Sequence, residues 1–158
     1  MTVPGAFHFA ELNIARLHRA LDEPENAEFV AALDAVNLIA ERTPGFVWRL
    51  QDADGASSSY VTAYDDPLVI INLTVWEDVE SLRHFTYRSG HGAYLRRRRE
   101  WFEGHSRPHM VCWWLPVGEV PDVADAVRRL ELLRVEGPSA DGFLFTDPFP
   151  APAEAAKS

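Results

Sequence analysis

The chain has 158 residues, of which 47% are hydrophobic and 25% charged, which is enough for one domain with a buried core. Its formal net charge of −9 disfavours a general attraction to nucleic acid or to an anionic membrane. No apolar run approaches the ~20 residues that span a bilayer, the N-terminus lacks a signal-peptide pattern, and the single cysteine, Cys112, excludes an internal disulfide. We therefore expect a cytoplasmic protein without a nucleic-acid or membrane partner. Lys157 is the single lysine among many arginines, a bias typical of GC-rich bacterial genomes.

The first half of the chain is predicted to form a strand, a helix and a strand. Residues 7–12 (FHFAEL) alternate in character and run into residues 13–15, which indicates the first strand. Apolar residues at intervals of three and four predict an amphipathic helix over about residues 25–42, which ends before a Thr-Pro-Gly turn. Residues 46–50 (FVWRL) are rich in β-branched and aromatic residues and predict the second strand.

The second half repeats this order and adds two elements. Residues 60–64 are a candidate short strand, and residues 68–76 (LVIINLTVW) give the strongest strand signal in the chain. A helix is predicted from Val79, capped by Asp78, weakened by Gly90 and Gly92, and resumed over residues 94–102. The remaining predictions are a fourth strand at residues 109–115, a last helix at 123–135, a candidate terminal strand at 143–145 and a frayed tail from Pro148.

This order predicts an α+β fold, the ferredoxin-like plait, in which helices cover one face of a four-stranded antiparallel sheet. We expect a single domain over residues 1–147, with the last helix as an addition and residues 148–158 as the tail. The predicted strands carry four tryptophans: Trp48, Trp76, Trp113 and Trp114. Apolar strand surface that the helices leave bare must be covered, so we expect a homodimer formed through the open face of the sheet.

Several short segments carry a family resemblance. They are LNIAR (12–16), NLTVW (72–76), FTYRSGH (85–91), RREWF (98–102), WW (113–114) and GP (137–138). Over residues 7–147 the chain resembles an uncharacterised-function branch of the dimeric α/β-barrel superfamily, which includes the antibiotic biosynthesis monooxygenases. The resemblance implies the plait and its pairing into a dimeric barrel. It leaves the reaction open, because relatives include cofactor-free quinone-forming oxygenases, haem-degrading enzymes and small isomerases.

A stripe of polar and aromatic residues is the first candidate site. Its members are His84, Tyr87, His91, Tyr94, Arg98 and Trp101. They follow one another at steps of three or four, so an unbroken helix would align them. In one interpretation they form a solvated or packing surface. In the other, the two glycines bend the helix, and His91 and Tyr87 point into a cleft against the sheet, where a histidine with an ordinary pKa of ~6.5 would serve as acid and base.

Arginines and asparagines supply further candidates. Four consecutive arginines, residues 96–99, point in different directions on a helix and are mostly solvated or paired, but Arg97 or Arg98 could turn inward to hold an anionic substrate. Asn13 and Asn72 stand in otherwise apolar strands, where a buried amide needs hydrogen-bond partners. Each amide either bridges neighbouring backbone or the dimer contact, or donates to a substrate carbonyl.

The tryptophans Trp76, Trp101 and Trp113 also have two interpretations. They are core or interface residues in one, and walls of a pocket for a flat aromatic ligand in the other. The resemblance adds that cofactor-free oxygenases of the superfamily use Asn, Trp and an ionisable group to activate a phenolic substrate, which then reduces oxygen itself. Cys112 lies within an apolar strand and is expected to be an inert core residue.

We therefore expect a small homodimeric enzyme, monooxygenase-like and independent of cofactors, that acts on an aromatic or polyketide-type metabolite. Its predicted catalytic residues are His91, Tyr87, Arg98 and Asn72. Its predicted substrate-binding residues are Trp76, Trp101, Arg97, His84, Asn13 and Trp113. No metal site is predicted. The alternatives are a haem-binding protein with His91 or His84 as axial ligand, a non-catalytic ligand-binding dimer, and an isomerase or cyclase.

Overall fold

A four-stranded antiparallel sheet forms the centre of the computed structural model, which describes residues 6–20, 22–51, 64–88, 98–104 and 107–152. The strands are β1 (Phe7–Arg16), β2 (Phe46–Arg49), β3 (Val69–Trp76) and β4 (Met110–Pro116), in the order β2-β3-β1-β4. The α-helices of the described residues are α1 (Ala27–Arg42), α2 (Val79–Arg88), α3 (Arg98–Trp101) and α4 (Val123–Glu136), and a short 3-10 helix, Pro24–Asn26, precedes α1. None of these helices combines the length and the apolar character needed to cross a membrane. The arrangement confirms the predicted ferredoxin-like plait.

The pairing register sorts the side chains of the sheet into two faces. Glu11 lies opposite Thr74 on β3 and opposite Cys112 on β4, whereas Leu12 lies opposite Leu73. Because successive residues of a strand point to opposite sides, Glu11 and Leu12 lie on different faces of the sheet. We call the side of Glu11 the first face and the side of Leu12 the second face.

Helices α1 and α2 cover the first face. Phe85 of α2 stacks on Trp76 with ring centroids 5.1 Å apart, and Phe29 of α1 packs against Trp101 at 5.3 Å. These contacts belong to two separate apolar clusters, one around Phe9 and Trp76 and the other around Phe29 and Trp101. The first face therefore has an apolar patch at each end.

The added helix α4 covers the second face. Its inward residues Ala126, Leu130 and Leu133 pack with the strands into one buried cluster. Asp122 caps the helix, because its carboxylate accepts from the backbone amide of Asp125 at 3.1 Å. The expectation of an open second face is thus corrected, since α4 buries this face within a single chain. The homodimer through the sheet stays a prediction, and a partner subunit would have to meet α4 or displace it.

The C-terminal tail is not frayed from Pro148. The indole nitrogen of Trp114 donates to the backbone carbonyl of Phe149 at 2.8 Å, and Ala151 is buried. These contacts hold the segment against the edge of the sheet because they give its polar and apolar groups partners that a frayed tail would lack. Residues 153–158 lie outside the described residues.

The candidate terminal strand at residues 143–145 is reduced to a single bridge. Phe143 exchanges two backbone hydrogen bonds of 2.9 Å with Cys112, and the chain then turns away through a hydrogen bond from Asp147 to the carbonyl of Leu144. Residues 60–63 of the other candidate strand lie outside the described residues, as do residues 89–97 between α2 and α3.

Replacing Leu130 with Ala is expected to lower the free energy of unfolding by about 2–5 kcal/mol, because a fully buried leucine would leave a cavity against the sheet. Chemical denaturation followed by circular dichroism measures this change. Val135 on the same helix is 77% exposed, and Val135→Ala is the matched control, with an expected effect below about 0.5 kcal/mol. Equal effects of the two substitutions would contradict the packing of α4 on the second face.

Candidate functional site

A carboxyl group lies in the middle of the sheet. Glu11 belongs to β1, which pairs with β3 on one side and β4 on the other, and only 2% of its surface is exposed. Its chain neighbours Ala10 and Leu12 are fully buried on the second face. Glutamate is rarely buried this deeply, because an ionised carboxylate loses its hydration there. The surroundings of Glu11 therefore decide its protonation state.

Two side chains hold the Glu11 carboxyl directly, and a third supports one of them. The hydroxyl of Thr74 donates to Oε1 at 2.8 Å. The side-chain nitrogen of Asn13 lies 3.2 Å from Oε1 and 3.0 Å from Oε2 and donates to the carboxyl. Thr74 in turn accepts from the indole Nε1 of Trp76 at 2.8 Å. A continuous chain of hydrogen bonds thus joins Trp76, Thr74, Glu11 and Asn13.

Burial raises the pKa of Glu11 from 4.5 to about 7, because the loss of hydration penalises the ionised form. The hydrogen bonds from Asn13 and Thr74 act in the opposite direction, since they stabilise the charge. Burial also raises the pKa of the neighbouring Cys112 thiol well above its ordinary value, and the charge of Glu11 adds to this effect. Cys112 is therefore a neutral core residue, whereas Glu11 titrates near neutral pH.

Glu11 is part of a polar band across the first face, which consists of Glu11, Thr74, Asn13 and Asn72. Asn13 and Asn72 lie directly opposite each other on β1 and β3. Both are half-buried, in contrast to the fully enclosed Glu11. The two apolar clusters of the first face flank this band. The polar band therefore separates the two apolar clusters of this face, with the two amides partly exposed and the carboxyl enclosed.

Helix α1 carries an amide between its contacts with the two apolar clusters. Asn37 comes four residues after Leu33, which packs in one apolar cluster, and three residues before Ala40, which packs in the other. Its side-chain nitrogen is buried and has no hydrogen-bond partner among the residues that the structure describes. Because a buried donor without a partner is destabilising, an acceptor oxygen on a bound molecule would be stabilised at this position.

The structure brings three of the predicted site residues into the polar band or next to Thr74 within it: Asn13, Asn72 and Trp76. Trp101 is also buried, but it belongs to the apolar cluster around Phe29. Trp113 lies on the second face among the residues under α4, so it does not line the same site. Trp76 and Trp113, both predicted to line one pocket because both are tryptophans, thus lie on opposite faces of the sheet.

The remaining predicted site residues lie on the surface or outside the described residues. His84 and Tyr87 are exposed on α2, and Arg98 is exposed at the start of α3. His91 and Arg97 lie outside the described residues. The catalytic or binding roles of these five residues stay predictions.

Glu11 and Thr74 were not among the residues predicted from the sequence. A signal for both was present, because residues two apart on a strand share a face. Glu11 comes two residues before Asn13, and Thr74 comes two residues after Asn72, so each candidate amide has a polar neighbour on its own side of the strand. The direct contact between Glu11 and Thr74 depends on the register between β1 and β3, which periodicity alone does not supply.

No group of three or more His, Cys, Asp or Glu side chains comes together as a metal site in the described part of the chain. The haem alternative through His91 or His84 stays a prediction, because His91 lies outside the described residues. His84, one of the two predicted haem ligands, is exposed on α2, while the apolar side of this helix, with Leu82 and Phe85, is buried.

Comparisons with known proteins agree with this fold. Residues 8–158 match the family DUF3291, a domain of unknown function. The crystal structure of NE2512, a protein of unknown function from Nitrosomonas europaea, is 10% identical with a TM-score of 0.50, covering 75% of this chain and 98% of that one. The crystal structure of SnoaB, a cofactor-independent oxygenase from Streptomyces nogalater, is 18% identical with a TM-score of 0.48, covering 74% of this chain and 100% of that one. No curated protein matches the sequence.

The raised pKa of Glu11 predicts a stability that falls with pH. Between pH 4.5 and about 7 the folded protein keeps the proton on Glu11, whereas the unfolded chain loses it, so the folded state binds more protons. The contribution is therefore complete below the lower value and is lost as the pH rises through the upper one. The shift amounts to about 3 kcal/mol of unfolding free energy.

Glu11→Gln removes this titration, and urea denaturation across the same pH range measures the result. The difference in unfolding free energy between the unsubstituted protein and Glu11→Gln should shrink or reverse as the pH rises to about 7. Glu119, exposed in the turn after β4, gives the control Glu119→Gln, which should keep the pH dependence of the unsubstituted protein. Parallel pH profiles for all three proteins would rule out the raised pKa.

Proposed function

The chain belongs to the DUF3291 family, and we propose that it is an enzyme in which Glu11 removes a proton from an aromatic, weakly acidic metabolite. The observation that carries this proposal is a carboxyl group that is buried beside an aromatic cluster and hydrogen-bonded by Thr74 and Asn13, and burial raises its pKa to about 7. The resemblance of the sequence to antibiotic biosynthesis monooxygenases supports oxygenation without a cofactor as the reaction that follows.

Glu11 has the properties of a general base. With a pKa of about 7, both protonation states are populated at neutral pH, so the carboxyl can take a proton and return it within one cycle. A phenol with the ~10 pKa of tyrosine would transfer its proton to this base at a cost of about 4 kcal/mol, against about 8 kcal/mol for an exposed glutamate. The raised pKa thus lowers the barrier to forming a phenolate.

The polar band supplies contacts for such a substrate. The half-buried amides of Asn13 and Asn72 are groups of the type that form hydrogen bonds with oxygen atoms on an aromatic ring. The buried side-chain nitrogen of Asn37 offers a donor that has no described protein partner. A donor aimed at an oxygen that becomes negative in the reaction stabilises the charged state more than the neutral one. Asn37 would therefore favour the phenolate over the phenol.

Oxygenation follows from the electron-rich phenolate, with O2 as the oxidant. In the overall reaction the phenol becomes a quinone. The O–H bond and one ring C–H bond break, and the two carbon atoms that carried them become the two carbonyl carbons of the product. O2 accepts the four electrons released, and one of its oxygen atoms enters the product while the other leaves as water. Glu11 takes up a proton at the start and gives it back at the end, so the enzyme returns to its initial state.

Oxygen uptake and product absorbance on a panel of polycyclic phenols test this proposal. The value of kcat/KM is expected to rise with pH and to level off above about pH 7, because the base acts in its ionised form. Glu11→Gln, which preserves the shape of the side chain, should lower kcat/KM by about 10²–10⁴-fold. The exposed control Glu119→Gln should keep the original rate.

Other outcomes would contradict the proposal in distinct ways. His91 is the competing base, and loss of turnover in His91→Ala but not in Glu11→Gln would overturn the assignment of Glu11. A strong Soret band in the purified protein would favour the haem-binding alternative. Tight binding of phenols without oxygen uptake would indicate a ligand-binding protein, and conversion without oxygen uptake would indicate an isomerase or cyclase.

A further inference from the structure

We propose that Thr74 and Trp76 are positioning residues that hold Oε1 of Glu11 as a hydrogen-bond acceptor, which leaves Oε2 as the atom that takes and returns the proton. For its catalytic meaning this inference rests on the proposed function. The hydrogen-bond geometry that supports it is independent of any reaction.

The direction of the hydrogen-bond chain is set at Trp76, because an indole nitrogen donates and cannot accept. Trp76 is fully buried, and its Nε1 lies 2.8 Å from Oγ1 of Thr74, so this oxygen is the acceptor. The indole ring stacks on Phe85 at 5.1 Å and meets the edge of Phe46 at 5.6 Å. These ring contacts keep the Nε1 hydrogen directed at Thr74.

The hydroxyl of Thr74 has one proton of its own, and the residue is only 3% exposed. Oε1 of Glu11, at 2.8 Å, is the acceptor that the described residues offer to this proton. If Glu11 carried its proton on Oε1, two protons would compete for the same contact, and that of Thr74 would be buried without an acceptor. Because such a loss is costly, Oε1 stays an acceptor in both protonation states of Glu11.

Oε2 is therefore the oxygen that exchanges protons. Its contact among the described residues is with the side-chain nitrogen of Asn13 at 3.0 Å, which also reaches Oε1 at 3.2 Å and can donate there when Oε2 is protonated. In the transfer, the O–H bond of the substrate breaks, its electron pair stays on the substrate oxygen, and an Oε2–H bond forms. Thr74 and Trp76 keep their own protons throughout.

Among the described residues, burial and the hydrogen bonds with Asn13 and Thr74 set the pKa of Glu11. Cys112 faces Glu11 from β4 and is neutral, because burial raises its pKa. Arg49 lies on β2, the strand that flanks β3 on the side away from β1, and pairs with Thr74. Its side-chain Nε lies 3.7 Å from a carboxylate oxygen on α1. The titratable side chains of α1 and α2 are exposed, apart from the partly exposed Arg83, which forms an ion pair within α2. Asp147, in the segment after Phe143, is exposed as well.

Carbon-13 NMR of the full chain, labelled at the glutamate carboxyl carbons, measures the pKa of Glu11, and Glu11→Gln assigns its resonance. Thr74→Val keeps the shape of the side chain and removes the hydroxyl, so the pKa of Glu11 should rise by about one pH unit or more. Thr74→Ser is the matched control and should keep the original pKa. Trp76→Phe should raise the pKa of Glu11 in the original background but not in the Thr74→Val background.

An unchanged pKa in Thr74→Val would overturn the inference. So would an equal effect of Trp76→Phe in both backgrounds, since the indole would then act without Thr74. Should Trp76→Phe fail to fold, the comparison of Thr74→Val with Thr74→Ser decides. These NMR results do not depend on turnover, so the proposed function can fail separately. If the proposed function and this inference are both correct, Thr74→Val should also shift the midpoint of the pH profile of kcat/KM to higher pH, by the same amount as the pKa of Glu11.

Discussion

The enclosure of one carboxyl group in a central strand is the constraint on which the chemistry of this fold depends. Glu11 cannot turn to solvent, because β1 is hydrogen-bonded on both edges and its first face lies under helices. Thr74 and Asn13 replace only part of the hydration that the carboxyl loses, so its pKa remains near 7. A group that would be ionised on the surface thereby becomes one that can gain and lose a proton at neutral pH.

The second face of the sheet provides apolar packing that stabilises the fold, whereas the first face carries the polar side chains of the candidate site. On the second face, strands and α4 form one continuous apolar layer. The first face has two smaller apolar clusters with the polar band between them. A sheet that is well packed on one side can carry a costly polar row on the other, because the loss is a fraction of the total burial. The added helix is thus part of what makes the site possible.

Periodicity and composition were sufficient for the elements but not for the site. The strand at residues 68–76 and the helix from Val79 follow from local pattern, and both appear close to their predicted bounds. The packing of α4 on the second face could not be predicted in the same way, since the pattern of an amphipathic helix does not show which surface the helix packs against. The grouping of tryptophans by type failed for a related reason: Trp76 and Trp113 lie on opposite faces, and only the strand register decides that.

A purely structural role does not account for a glutamate at position 11. Glutamine would accept from Thr74 through its amide oxygen in the same way, and Asn13 could rotate to accept from its nitrogen. A protein with glutamine at this position would not lose stability as the pH rises towards 7, which lies in the range where folded proteins tend to be most stable. A side chain that weakens the fold where its neutral counterpart would not is typical of a functional site. This loss of stability arises from Glu11 and its neighbours. It therefore indicates a functional role for this carboxyl, independently of the functions of other proteins that share the fold.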